Sequence, residues 1–424
     1  MYDIVIEGMF VDPVDGIFRG FMGVQDGRIA YLTETPIQGK VKMVLSGSEL
    51  VFPGFIDTHV HFREPGWEHK GDMASESRAA LLGGVTTAMD MPNTPVQTTS
   101  RERLLEKRRI AANRAAIDME FYMGVGPGNM YRLEGMADVA PAFKLFMCGS
   151  TGNLSMSGTE ETEEAFSCMS GMGKPLAVHC EDQAMNREAA LRHGLGENDP
   201  LSHAFSRPAE SEVSAIRDAL GLSSKYGVPL SVCHVSTGEG MRLVMGGGAR
   251  AEATIHHSLL DRRDLERLGA FGKMNPPLRE REDADSIMES VMKGDVSFIG
   301  TDHAPHTRQE KGMAFQDAPS GVPGIEHYGC FAGLLLSGGM KPEQLARATS
   351  YNASQFFGFA EKARIEEGFL ADLVVMDTAR RVEVRPPYQA KCGWSPLEGM
   401  SFPGSPSCTI RRGRVVMENG RVLV

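Results

Sequence analysis

Two histidines one residue apart, His59 and His61, close an apolar run, GFIDTHVH. On a strand, side chains at i and i+2 point to the same side, so two imidazoles could share one metal ion. His179 and His234 each end a similar run, PLAVH and PLSVCH, and could give neutral nitrogens to a second ion. Asp302 leaves an apolar stretch in GTDHAPH. It reads as a metal ligand that also carries a proton during a reaction, against the alternative of a turn or helix cap. Each histidine alone reads equally well as a satisfied core residue. Their recurrence at the ends of separate apolar runs is what points to a single metal centre.

Lys144 stands inside an apolar run, AFKLFM. An ammonium buried there without a partner is costly, and it cannot ligate a metal because all its polar hydrogens are donors. Reaction with carbon dioxide would turn it into an anionic carbamate whose two oxygens could bridge two ions. The alternative is a lysine held in an ion pair.

These residues need elements that bring them together. GFIDTHVHF, GVTTAMDM, DMEFYMGVG, AFKLFM, PLAVHC, PLSVCHVS, AEATIHH and VSFIGTDHAP read as eight short strands, separated mostly by amphipathic helical stretches such as Arg101 to Ala116 and Ser211 to Tyr226. Eight βα units predict an α/β fold, a (β/α)8 TIM-type barrel whose chemistry gathers at the C-terminal strand ends. The candidate residues fall at those ends. The first fifty residues and the last sixty read instead as short strands with Gly and Asp-Gly turns, and neither set is large enough for a core of its own. A small β-sandwich domain built from both termini is expected, with residues 1–52 and 362–424 forming it and 53–361 the barrel. The stretch from Thr307 to Gly324, rich in Gly, Pro and charge, reads as a mobile loop.

Composition narrows the function. The 424 residues carry a formal net charge of -11, which does not suit nucleic acid as a partner. No apolar run is long enough to span a membrane, and the acidic start MYDIVIEGMFVDP does not fit a signal peptide, so a cytoplasmic enzyme is expected. Seven scattered cysteines without a C-x-x-C pair argue against a disulfide framework, and Cys180 and Cys233 read as small buried strand residues. A homodimer is compatible with the sequence, which does not fix the oligomer.

Seven stretches, HVHFREPG, MDMPNT, FKLFM, HCED, CHVST, KMNPPLRE and TDHAPH, occur in an order that resembles the dihydroorotases of the amidohydrolase superfamily. The resemblance covers nearly the whole chain. It implies two zinc ions per subunit, one held by His59, His61 and Asp302, the other by His179 and His234, with carboxylated Lys144 bridging. It implies substrate contacts from Arg63, Asn93, Asn275 and His306, and backbone groups from Pro323 and Gly324. Arg63 suits a substrate carboxylate because its planar fork gives two parallel hydrogen bonds. The implied reaction is the reversible cyclisation of N-carbamoyl-L-aspartate to L-dihydroorotate, with Asp302 moving the proton. Some dihydroorotases use an aspartate in place of the lysine. Here no acidic residue occurs between Asp138 and Glu160, so Lys144 is the bridging candidate, as in the lysine-bearing members and in hydantoinases. The rival readings are a hydantoinase or allantoinase, against which Arg63, Asn93 and NPPLR count, and a non-catalytic homologue, against which the complete ligand set counts.

Overall fold

The computed structural model describes residues 1–149, 154–193, 196 and 198–424. Its centre is a parallel barrel. The first barrel strand, Phe55–Val60, pairs with Val85–Asp90, and that strand pairs with Asp118–Phe121. The third strand breaks at Tyr122 and resumes as Met123–Gly124 beside Phe143–Phe146. Leu176–His179, Leu230–Val232, Arg250–Thr254 and Phe298–Gly300 follow in chain order. The circle closes where Val60 bridges His303 in parallel and the His61 N–H donates to the His303 carbonyl at 2.8 Å. Each of the eight strands read from the sequence is present. Several are buried along their whole length, as a parallel sheet covered on both faces requires.

The covering helices follow from their apolar spacing. Ala209–Tyr226 buries Val213, Ile216 and Ala219 at three-residue steps and stops at Gly227, which adopts a left-handed φ of 65°. Met73–Leu82 begins at Asp72, whose carboxylate accepts the N–H groups of Ala74 and Ser75.

Both termini enter one domain. The strand Glu49–Pro53 pairs antiparallel with Leu373–Glu383, joining N-terminal and C-terminal strands into a nine-stranded, mainly antiparallel sheet. This sheet has its own apolar cluster, which includes Ile6, Phe10, Met22, Val51, Leu373 and Ile410. The helix Tyr328–Ser337 lies against the strand Ser401–Arg411 so closely that side chains are excluded at two points. A Cβ at Gly329 would sit 2.2 Å from Pro406, and one at Gly333 would sit 2.4 Å from the Gly404 carbonyl oxygen.

The Thr307–Gly324 stretch, expected to be a mobile loop, is fastened to the fold. Buried Lys311 donates to the carbonyls of Lys273, Pro319 and Gly321 at 2.9–3.1 Å. Lys273 donates to those of Phe315 and Gln316 at 2.8 and 3.1 Å. Lys311 from within the stretch and Lys273 from outside it act as its staples.

The Gly333 contact is testable. Gly333→Ala should destabilise the protein by about 1–3 kcal/mol through overpacking against backbone, read as a lower urea midpoint. An unchanged midpoint would mean the helix and sheet can separate freely.

Candidate active site

The C-terminal ends of the strands bring the predicted residues together. His59 and His61 end the first strand, and Asp302 follows the eighth. Their Nε2 atoms lie 3.3 and 3.1 Å from Asp302 Oδ1. His179 and His234, from the fifth and sixth strand ends, face each other Nδ1 to Nε2 at 2.9 Å. The ring centroids of His59 and His234 are 5.1 Å apart, so the two groups share one mouth. Arg63, His234 and Asp302 all have positive φ, at 69°, 35° and 44°. Such backbone is costly for residues with a Cβ and is tolerated where surroundings impose it; here it follows the strand ends that carry the site.

Partners behind the histidines decide which nitrogen faces inward. His59 Nδ1 donates to Glu252 Oε1 at 2.7 Å, His61 Nδ1 to Asn93 Oδ1 at 2.8 Å, and His179 Nε2 to Glu181 Oε2 at 2.7 Å. Each bond places a proton on the outer nitrogen, so the inner nitrogen is the one that would meet a metal. Glu181 is clamped in turn by Arg207, through Nε at 2.9 Å and NH2 at 2.5 Å.

The donor set suits a metal. A tetrahedral ion with bonds of about 2.0–2.1 Å has ligand atoms about 3.3 Å apart, close to the spacing of His59, His61 and Asp302. Burial, with a repulsive contribution from His179, holds His234 well below the usual imidazole pKa, and burial also lowers His179, so both are neutral donors. Burial pushes the Asp302 carboxyl up, but His59 and His61 outweigh it and hold Asp302 well below the carboxylate range. His59 is also opposed by burial, yet Glu252 and Asp302 raise it to about 10.

Lys144 is fully buried in the fourth strand. Its Nζ lies 2.9 Å from Cys233 Sγ and 4.8 Å from the centre of the Phe146 ring. Among the described residues no carboxylate comes within 4.0 Å of it, so the ion-paired alternative does not hold. It is close enough to depress both His179 and His234.

Arg63 is 2% exposed and donates from Nε to the Pro305 carbonyl at 3.0 Å. Its NH2 lies 3.0 Å from His306 Nε2. Lys70 Nζ, which can only donate, reaches His306 Nδ1 at 3.2 Å, so the His306 proton sits on Nε2 and points to the Ser320 carbonyl at 3.1 Å. Arg63 NH2 therefore faces a donor. No carboxylate pairs with it among the described residues. Burial pushes Arg63 down to about 10, which leaves it cationic. Burial and the cations Arg63, Lys70 and Lys311 keep His306 neutral.

The remaining expected contacts divide. Among the described residues, nothing hydrogen-bonds to the buried Asn275 Oδ1. Asn93 turns its oxygen to His61, a role not read from the sequence. The Gly324 N–H donates to His303 Nδ1 at 3.1 Å and its carbonyl accepts from the His327 N–H, so the expected backbone donor at Gly324 is already engaged. Pro323 is buried beside it. Sequence reasoning missed Glu181 and Glu252. The signals were an acid two residues after His179, in HCED, and an acid inside the apolar AEAT strand, where a charge needs a partner.

Residues 50–416 match the amidohydrolase family. The chain is 33% identical over 430 residues to a dihydroorotase of Methanothermobacter thermautotrophicus, covering 100% of this chain and 96% of the relative. It is 35% identical to an allantoinase of Rubrobacter xylanophilus, with coverage of 100% and 96%. Its fold superposes on the L-hydantoinase of Arthrobacter aurescens with a TM-score of 0.95 at 28% identity, covering 100% of this chain and 98% of that one. This chain belongs to the amidohydrolase family. Within it, the protein is a hydrolase acting on cyclic amides. No helix among the described residues is long and apolar enough to cross a membrane.

Glu252→Gln and Glu181→Gln should each lower metal affinity about 10–100-fold while the fold persists, because the inner nitrogens lose their fixed orientation. Competition against a chelator, followed by elemental analysis, measures this. Wild-type affinity in both variants would show that the carboxylates serve packing alone.

Proposed function

We propose that this enzyme is a dihydroorotase, interconverting L-dihydroorotate and N-carbamoyl-L-aspartate at a two-zinc site. His59, His61 and Asp302 would hold one ion and His179 and His234 the other, with Lys144 as a bridging carbamate. The Lys144 amine would reach that state by bonding to the carbon of carbon dioxide and releasing one proton, and no neighbouring carboxylate competes for it. When bound, the ions supply Lewis acidity and a water acidic enough to be deprotonated near neutral pH.

The rest of the chemistry belongs to the chain. In ring opening, the oxygen of a water bonds to the ring amide carbon, and Asp302 accepts that water's proton at its second carboxylate oxygen while Oδ1 stays with the histidines. It then delivers that proton to the ring nitrogen that leaves the amide carbon. Asn93, Glu252 and Glu181 keep the imidazoles oriented through this transfer. Arg63 takes the substrate carboxylate on the edge that lacks an acceptor, and neutral His306 lines that pocket beside it. Asn275 Oδ1, buried and without a partner among the described residues, is available to a substrate N–H.

The observation that carries the reading is Arg63. A buried guanidinium without an anionic partner is costly, and a carboxylate on the substrate relieves it. Hydantoin and allantoin have no carboxylate to offer. The second reading, a hydantoinase or allantoinase, rests on the close superposition with the Arthrobacter enzyme and the identity to the Rubrobacter one.

Purified, zinc-loaded protein should turn over dihydroorotate in preference to hydantoin and allantoin, and the opposite preference overturns the reading. Arg63→Met should keep its metal and raise KM for dihydroorotate about 100-fold, as loss of a charge-assisted bidentate contact implies. Lys144→Ala should lose metal and nearly all activity, with partial recovery in added short carboxylic acids. Full activity in that variant would remove the carbamate from the site.

A further inference from the structure

Residues 384–400 lie between the strands Leu373–Glu383 and Ser401–Arg411 of the terminal domain, yet they run across to the loops at the barrel mouth. Among the described residues six from the barrel hold this strap by hydrogen bonds: the Glu68 carbonyl and Asp72 take the Lys391 ammonium at 2.5 and 2.8 Å, and four more act as follows. Glu326 Oε2 accepts the N–H groups of Gln389 and Ala390 at 2.9 and 3.1 Å. Glu76 accepts the Lys391 N–H on Oε1 at 3.1 Å and binds His303 Nε2 on Oε2 at 2.8 Å. Arg308 donates to the Gly393 carbonyl from Nε and NH2 at 3.1 and 2.8 Å. His306 takes the fourth contact through its backbone: the indole N–H of Trp394 donates to the His306 carbonyl at 2.7 Å.

Trp394 is 2% exposed. Phe271 meets its ring edge-on at 4.8 Å between centroids, and Lys311 lies over it at 5.7 Å. The ring is therefore fixed on two sides, and its N–H fixes the backbone of His306. The residue before, Pro305, gives its carbonyl to Arg63 Nε, and the His306 imidazole lies against Arg63 NH2. Two of the contacts that locate the Arg63 fork thus sit on His306, whose carbonyl Trp394 holds, and on the residue before it; the Trp67 ring, 5.9 Å from the guanidinium carbon, is a third.

We infer that Trp394 is a positioning residue for the substrate-carboxylate pocket, acting from the terminal domain through the His306 carbonyl. The inference rests on the reading of Arg63 as the carboxylate anchor. A hydrogen bond rather than bulk is at work, because a phenyl ring would fill the space against Phe271 and leave the buried His306 carbonyl without its donor. A small displacement of a positioning group is enough to cost binding heavily.

The test uses zinc-loaded parent enzyme, Trp394→Phe and Phe271→Leu. Trp394→Phe should raise KM for dihydroorotate about tenfold, or about 1.4 kcal/mol, with kcat changed less than about twofold. Its metal content should equal that of the parent. Phe271→Leu, which keeps the N–H bond and weakens the ring contact, should lower the thermal midpoint and leave KM near that of the parent. Unchanged KM in Trp394→Phe, or an equal rise of KM in both variants, overturns the inference. Parent enzyme inactive on dihydroorotate overturns the carboxylate reading itself, and that result is visible before any variant is assayed.

Discussion

Removal of water from a mouth crowded with ionisable groups is the constraint to which the rest of the structure responds. His59, His179 and His234 are 1–3% exposed and Asp302 is 8% exposed. A charge buried this far is costly unless a partner neutralises it and satisfies its hydrogen bonds. Three of the inner imidazoles accordingly have an outer partner: Glu252 behind His59, Glu181 behind His179, Asn93 behind His61; among the described residues His234 Nδ1 has none. Neutralisation and orientation are the same act, since a carboxylate that accepts one imidazole N–H also aims the opposite lone pair. Glu252 and Asp302 together hold a proton on His59, with a pKa raised to about 10, so a cation entering the site takes the place of that proton.

The opposite wall of the mouth has the opposite sign. Arg63, Lys70, Lys273 and Lys311 are all buried there, with Glu310 pairing Lys70 at 2.8 Å. Burial pushes Lys311 well below its usual pKa, and three backbone carbonyls satisfy its hydrogens. In a protein with a formal charge of -11, the basic side chains of Arg63, Lys70 and Lys311 are thereby gathered near His306. The same lysines tie down the stretch that carries the wall, so its field and its shape have one origin.

What the sequence made legible follows from this division. Residues aimed into the mouth end short apolar runs, so period and chain order expose His59, His61, His179, His234 and Asp302. The eight strands were legible for the same reason. The supporting groups leave weaker traces. Glu252 is a lone acid in an apolar strand, and Arg207, which clamps Glu181, lies in a helix-flanking stretch like many others. Their partners are remote in the chain: Glu252 and His59 are 193 positions apart. The Thr307–Gly324 stretch has the composition of a flexible loop, and only three-dimensional placement shows Lys311 and Lys273 turned inward. Asn93 was legible as a site residue, but the direction of its amide oxygen was not.

The terminal domain belongs to this account through geometry. Glu49–Pro53 is hydrogen-bonded into the terminal sheet, and the chain enters the first barrel strand at Phe55, four residues before His59. Lys362 ties Asp118 of the third barrel strand to Asp372, just before the strand Leu373–Glu383, at 2.7 and 2.6 Å. The close contacts at Gly329 and Gly333 fix the helix that follows the Thr307–Gly324 stretch. The sheet thus meets the site from three directions: through the strand bearing the first histidine pair, through the helix after that stretch, and through the 384–400 segment on His306. A barrel alone would keep its strands but lose these external fixings, and side chains separated by about 3 Å tolerate little drift in the elements that carry them.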